Sequence, residues 1–118
     1  MFARFLFGLI LLVVMPGSSC AGTLNDYLTR YDRSKADQQE SLETLVLEAN
    51  RTLWWTDRYL RSHGDDPLFC ASEVEGLSGR QIVDLLRESR RIDPKIGGAS
   101  VEVALLLSLK RSYPCHIH

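Results

Sequence analysis

The sequence has no excess of positive charge and none of the common catalytic motifs. Its 118 residues include 14 basic and 15 acidic side chains, giving a net charge of −1. This balance excludes a nucleic-acid-binding surface driven by bulk charge and argues against a polybasic membrane binder. The chain contains no glycine-rich phosphate loop and no His-Glu-x-x-His pair. We therefore expect no enzymatic activity, no catalytic residue, no cofactor and no metal site.

Long apolar runs are also absent, with one exception near the N-terminus. Arg4 precedes an apolar run over residues 5–15, and Pro16 and small residues up to Ala21 follow it. About 11 apolar residues are too few for a membrane span, which needs roughly 20. The layout predicts a signal peptide over residues 1–21, cleaved on export to the periplasm. An uncleaved anchor and an outer-membrane lipoprotein modified at Cys20 are less favoured alternatives.

Cysteine is scarce, and its count changes with cleavage. The mature chain, residues 22–118, keeps only Cys70 and Cys115, which are 45 positions apart. In an exported protein this pair predicts one disulfide, which the chain-entropy model values at about 4 kcal/mol. The tail from Cys115 to His118 contains ligands that a metal could use, but a frayed terminus beyond a disulfide is the favoured interpretation.

Apolar residues at spacings of three and four predict helices in the first half of the mature chain. The first covers residues 22–32, with Thr23 as its N-cap. The second runs from Ala36 to about His63 and ends at Gly64. Its predicted core face contains Leu42, Leu45, Val46, Ala49, Leu53 and Leu60.

Two shorter helices are predicted in the second half. A capping box formed by Ser78 and Gln81 starts the third helix, which ends near Ile92. The fourth, residues 100–113, has almost no polar face, so we place it centrally in the core. Residues 68–77 are predicted to be a loop, and no alternating run indicates a strand. The predicted fold is one all-α domain of four helices over residues 22–118.

One strip of the long helix combines arginine and tryptophan outside the main apolar face. An exposed tryptophan flanked by arginine has the composition of a binding hot spot. The alternative is that another helix covers Trp54, while Trp55, nearer the core face, is predicted to be structural. The predicted partner-binding residues are Arg51, Trp54 and Arg58, together with Asp65 and Asp66 in the turn after the helix.

From Leu68 onward several segments follow a known pattern. They are Leu68-Phe69-Cys70-Ala71-Ser72, residues 76–83, residues 105–109 and Ser112-Tyr113-Pro114-Cys115. This pattern, about half of the mature chain, resembles the Rap/Tai immunity proteins of bacterial type VI secretion systems. Members often carry a further Cys and a Tyr-x-x-Gly segment in the preceding helix. Here that helix has Trp54-Trp55 and Tyr59-Leu60-Arg61-Ser62 instead.

The resemblance implies a periplasmic protein that binds and occludes a peptidoglycan amidase injected by sister cells. The partner would be that hydrolase, with no nucleic acid and no stable membrane span after cleavage; the sequence leaves a homodimer open. One alternative is a periplasmic structural or chaperone-like helical binding protein. A small enzyme using a carboxylate and His63 is another, although nothing in the sequence requires it.

Overall fold

The structure, a computed structural model, describes residues 22–115. The predicted signal peptide and the tail His116-Ile117-His118 lie outside this range. Within it the chain is helical, which confirms the predicted all-α class, and its one pairing of extended backbone is an isolated bridge between Thr23 and Ser100. The helices are α1 (Leu24–Arg33), α2 (Ala36–Ser62), α3 (Gly79–Ile92) and α4 (Val101–Ser112), with 3-10 helices at Ser72–Gly76 and Pro94–Gly98.

The helix ends follow from local side-chain chemistry. The hydroxyls of Thr23 and Ser100 each accept a hydrogen bond from a backbone N–H three residues later, as N-caps do. Ser78 and Gln81 form the predicted capping box. After α2, Gly64 has φ +78°, a left-handed conformation that glycine adopts without strain. These four positions confirm the boundaries predicted from sequence.

One apolar core joins all four helices. Its fully covered side chains include Leu28 of α1, Val46 of α2, Leu86 of α3 and Leu105 of α4. The prediction that α4 is buried on all sides is wrong, because Val103 and Leu107 are each almost half exposed. The small bundle covers α4 on one side only, which leaves this apolar stripe at the surface.

The buried side of α2 also differs from the predicted core face. Leu45 is half exposed, whereas the polar side chains of Asn50 and Asp57 are buried. Both polar residues contact the segment of residues 68–77, which packs along α2. That segment was predicted to be a loop, but it contains a 3-10 helix and places Phe69 and Val74 in the core.

Residues 68–77 are also attached to the end of α4. Cys70 and Cys115 form the predicted disulfide, with their Cα atoms 4.7 Å apart. The backbone N–H of Cys70 donates a hydrogen bond to the carbonyl oxygen of Tyr113 at 2.9 Å. A covalent bond and a backbone hydrogen bond thus fix one end of this segment. None of the helices within residues 22–115 is both long and apolar enough to cross a membrane.

Candidate protein-binding surface

The two adjacent tryptophans of α2 occupy different environments. Trp54 is half-buried and packs against the core, while Trp55 is 60% exposed. Their rings meet edge to face with centroids 4.8 Å apart, an arrangement that aromatic pairs favour. The prediction that Trp55 is the structural tryptophan is therefore wrong. The physical reason is that the segment 68–77 also packs along α2. The buried side of the helix therefore extends from the predicted apolar face, where Val46 is in the core, to Asn50, Trp54 and Asp57.

Trp54 separates two shallow depressions on the surface. The first, here called the Cys70 depression, has a volume of about 280 Å³. The second, the Glu75 depression, has a volume of about 270 Å³. The Cys70 depression is lined by Trp54, Asp57, Arg58 and Arg61 of α2 and by Cys70, Ala71 and Ser72. The Glu75 depression is lined by Leu47, Asn50, Arg51, Trp54, Trp55 and Glu75.

Arg58 lies over Trp54 at the edge of the Cys70 depression. Its guanidinium carbon is 4.9 Å from the centre of the indole ring, within the range of a cation–π contact. The structure thus brings the predicted residues Trp54 and Arg58 together, and Arg51 joins Trp54 in the neighbouring depression. Three of the five predicted partner-binding residues share one continuous strip.

Asp65 and Asp66 lie apart from that strip. Both are exposed in the turn after α2, and neither lines the Cys70 or the Glu75 depression. The turn begins two residues beyond the end of α2 and about one helical turn past Arg61 along the chain. Their role in binding stays a prediction.

Arg61, the next arginine of α2 after Arg58, braces the segment 68–77. Its Nε donates to Asp57 Oδ2 at 2.8 Å, and one terminal nitrogen donates to the carbonyl oxygen of Phe69 at 2.6 Å. The same nitrogen lies 3.2 Å from Cys70 Sγ. The side chain therefore connects α2 to the segment that carries the disulfide.

Asp57 was missed by the sequence analysis, although it organises this region. It is only 5% exposed, and its Oδ1 accepts hydrogen bonds from the backbone N–H groups of Leu68, at 2.6 Å, and Phe69. A buried carboxylate is stable only when it is paired and hydrogen-bonded, and Asp57 meets both conditions. The i, i+4 spacing of Asp57 and Arg61 was the available signal for the ion pair.

Asn50 is the second buried polar residue of α2, and it faces the same segment. Its Nδ2 donates to the carbonyl oxygen of Val74 at 2.8 Å. Within the described residues, its Oδ1 is the buried side-chain polar atom that has no hydrogen-bond partner. Asn50 and Asp57 are seven residues apart, which puts them on one face two turns apart. A repeat of polar residues at this spacing could have indicated that the face packs against a backbone segment.

The charges around Trp54 are distributed unevenly. A terminal nitrogen of Arg51 lies 3.5 Å from a carboxylate oxygen of Glu48, which is one turn earlier on α2, and both side chains are exposed. Arg58 is within 4 Å of no acidic group among residues 22–115. The Cys70 depression consequently has two guanidinium groups and one carboxylate in its lining, so its local charge is positive although the chain is weakly acidic.

Three features come together on the surface around Trp54. It combines an exposed indole, a stacked guanidinium and a covalently fixed wall, features that are typical of protein-binding hot spots. Residues 22–115 contain no cluster of three or more His, Cys, Asp or Glu side chains that could hold a metal ion. Comparisons with protein-family models, with characterised proteins and with solved structures give no match for this chain.

Proposed function

We propose that this protein is an exported immunity protein that binds a peptidoglycan amidase effector of a type VI secretion system and blocks its active site. The observation that carries the binding part is the strip Arg51, Trp54, Trp55 and Arg58. Aromatic residues and arginine are enriched at the centres of protein interfaces. The identity of the partner comes from the resemblance of residues 68–115 to the Rap/Tai immunity proteins.

Occlusion of an enzyme requires a surface that stays rigid, since ordering a mobile surface reduces affinity. Two separate attachments support that rigidity here. The Cys70–Cys115 disulfide ties the segment 68–77 to the end of α4, and the ion pair of the buried Asp57 with the partly exposed Arg61 ties the same segment to α2. Trp54 lies between the two depressions that this segment and α2 form together.

The proposed location is the periplasm. A disulfide persists in oxidising compartments and is rare in the bacterial cytosol, and the predicted signal peptide would deliver the chain to such a compartment. The amidase acts on peptidoglycan, which lies in the same compartment. Protein and target would therefore meet there without a membrane barrier between them.

The test combines protection and inhibition. The genes beside this one are first searched for a peptidoglycan amidase. A candidate found there is directed to the periplasm of a test bacterium with and without the full chain, and lysis is followed. In parallel, the purified proteins are mixed, the dissociation constant is measured by calorimetry and hydrolysis of peptidoglycan is assayed. We expect the full chain to protect the cells from lysis, to form a complex with the amidase and to inhibit the amidase at equimolar concentration.

A matched pair of variants makes the test specific. Trp55→Ala should weaken both the complex and the protection, whereas Leu45→Ala should not, because Leu45 is an exposed apolar residue of α2 outside both depressions. Absence of a complex and of protection with the unaltered chain would contradict the proposal. Unselective suppression of the aggregation of unrelated unfolded proteins would instead favour the chaperone-like alternative.

A further inference from the structure

We infer that the Cys70 depression receives an acidic side chain of the partner protein, whose carboxylate is held by Arg58 and Arg61. The identity of the partner rests on the proposed function. We call this proposed carboxylate-binding site the seat, and its chemistry rests on the geometry of these residues alone.

Arg58 is positioned for such a contact before any partner arrives. Its guanidinium lies 4.9 Å from the Trp54 ring centre, and the ring is itself half-buried and packed against the core. A guanidinium placed over an aromatic ring can still present N–H donors to a carboxylate. Since Arg58 pairs with no acidic group in the described part of the chain, these donors are available.

Arg61 contributes a second set of donors beside the first. Its Nε and one terminal nitrogen are used by Asp57 and by the carbonyl oxygen of Phe69, which fixes the orientation of the side chain. The other terminal nitrogen makes no hydrogen bond to any residue of the range 22–115. Arg61 also lines the depression, as Arg58 does, so both guanidinium groups belong to the same concavity.

The carboxylate already present does not neutralise the seat. Asp57 is turned towards the protein, with Oδ1 accepting from Leu68 N–H and Oδ2 accepting from Arg61. Two cations therefore face one internally paired anion, and the surplus charge is that of Arg58. The Glu75 depression differs, since the Glu75 carboxylate in its lining forms no ion pair within residues 22–115 and its arginine, Arg51, is paired with Glu48. Charge complementarity therefore assigns an anionic group to the Cys70 depression and not to its neighbour.

A protein side chain fits this seat better than a free anion. Trp54 lines the depression and its ring meets the exposed ring of Trp55, so a partner that covers the two indoles would also exclude water from the neighbouring guanidinium groups. Charged hydrogen bonds become stronger when water is excluded. The seat would therefore reach its full affinity only as part of a larger interface.

The first test measures the complex with the amidase. Arg58→Gln should weaken binding at least tenfold, which corresponds to about 1.4 kcal/mol, and the difference from the unaltered chain should shrink at high salt. Arg58→Lys should be intermediate, because lysine keeps the charge and loses the fork of donors. Arg30→Gln is the control, since Arg30 is an exposed arginine of α1 outside both depressions. A tight complex in which Arg58→Gln changes affinity less than twofold would overturn the inference.

The second test does not depend on the amidase. N-acetyl-aspartate methylamide and its uncharged counterpart N-acetyl-asparagine methylamide are titrated into the ¹⁵N-labelled protein, and the Nε–Hε signals of Arg58 and Arg61 are followed. We expect the aspartate compound to shift both signals and the asparagine compound to leave them in place. Equal shifts with the two compounds, or no shift with either at concentrations up to tens of millimolar, would contradict the proposed seat. If the aspartate compound binds and the amidase does not, the proposed function fails and the seat stands.

Discussion

Asp57 Oδ1 accepts a hydrogen bond from the backbone N–H of Leu68, with the oxygen 2.6 Å from the nitrogen, although Leu68 is eleven positions further along the chain. The contact closes the turn that contains Gly64, Asp65 and Asp66 and directs the chain back along α2. It also places Cys70 where the end of α4 can reach it. A buried carboxylate and a disulfide therefore cooperate to shape one wall of the Cys70 depression.

The first prediction concerns that carboxylate. Asp57→Asn keeps the size of the side chain but places an amide or a neutral oxygen against the Arg61 guanidinium. The substitution removes the charge that pairs with Arg61 and weakens the hydrogen bonds that the buried Asp57 carboxylate accepts, and we expect the free energy of unfolding to fall by about 2 kcal/mol. Chemical denaturation monitored by circular dichroism measures this loss. Asp65→Asn, at an exposed turn position, is the control and should leave stability unchanged; an equal effect of the two substitutions would contradict the role given to Asp57.

The second prediction concerns the disulfide. Cys70→Ala removes a bridge that closes a loop of 45 residues, and the chain-entropy model gives a loss of about 4 kcal/mol. Thermal and chemical unfolding of the variant should match those of the reduced, unaltered protein, because both lack the same covalent link. Peptide mapping without reductant should recover the Cys70–Cys115 pair. Two thiols that alkylate freely in the native protein would contradict the bridge.

Local patterns in the sequence were sufficient to predict the helices. The caps at Thr23, Ser78 and Ser100 and the stop at Gly64 act within three or four residues, so they operate in the same way in any fold. The disulfide was also predictable, because the predicted cleavage removes Cys20 and leaves Cys70 and Cys115 as a single pair.

The details of the surface depended on contacts distant in sequence. Asn50 and Asp57 are polar, and periodicity alone assigns polar residues to the solvent side of a helix. They are buried because the backbone of residues 68–77 needs hydrogen-bond partners where it crosses α2. At this crossing Trp54, and not Trp55, packs against the core, and the partly exposed Arg61 donates to the carbonyl oxygen of Phe69.

A third prediction concerns pH and the ion pair between α1 and α3. Arg87 makes two hydrogen bonds to the Asp32 carboxylate, at 2.8 and 3.0 Å, and these hold the pKa of Asp32 below its ordinary value of 3.8. Because the folded pKa is lowered, this pair stabilises the protein above the unfolded pKa. The contribution is lost as the pH falls through the folded pKa. The pair is exposed to solvent, so the effect on stability should be small.

The pKa of Asp32 can be read directly by following its carboxyl carbon in an NMR titration. Arg87→Gln removes the guanidinium and should raise the Asp32 pKa towards 3.8. Arg30→Gln, a substitution elsewhere on α1, should leave the Asp32 pKa where it is. A pKa that does not respond to Arg87→Gln would mean that the two side chains do not pair in solution.

A fourth prediction separates the two tryptophans. Trp55→Ala should leave the melting temperature nearly unchanged, because the ring is 60% exposed, and it should weaken amidase binding by about 1–2 kcal/mol. Trp54→Ala should reduce both stability and binding, since the ring packs against the core and supports Arg58. Differential scanning calorimetry and titration calorimetry on both variants give the comparison. Equal losses of stability for the two would mean that their burial is alike.

The last prediction concerns the acidic turn. Asp65 and Asp66 are exposed and are predicted partner-binding residues, so reversing both charges should slow association with the amidase. The effect should be larger at low salt, because exposed charges act over a distance set by screening, and it should lie mainly in the association rate. Stopped-flow mixing at two ionic strengths measures that rate. The control is the double substitution Asp37→Lys and Glu40→Lys, which changes the net charge equally at the opposite, exposed end of α2. If both double variants slow association to the same extent, net charge alone is responsible and the turn has no place in the interface. If neither does, the turn is only the connection that leads the chain from α2 to Leu68.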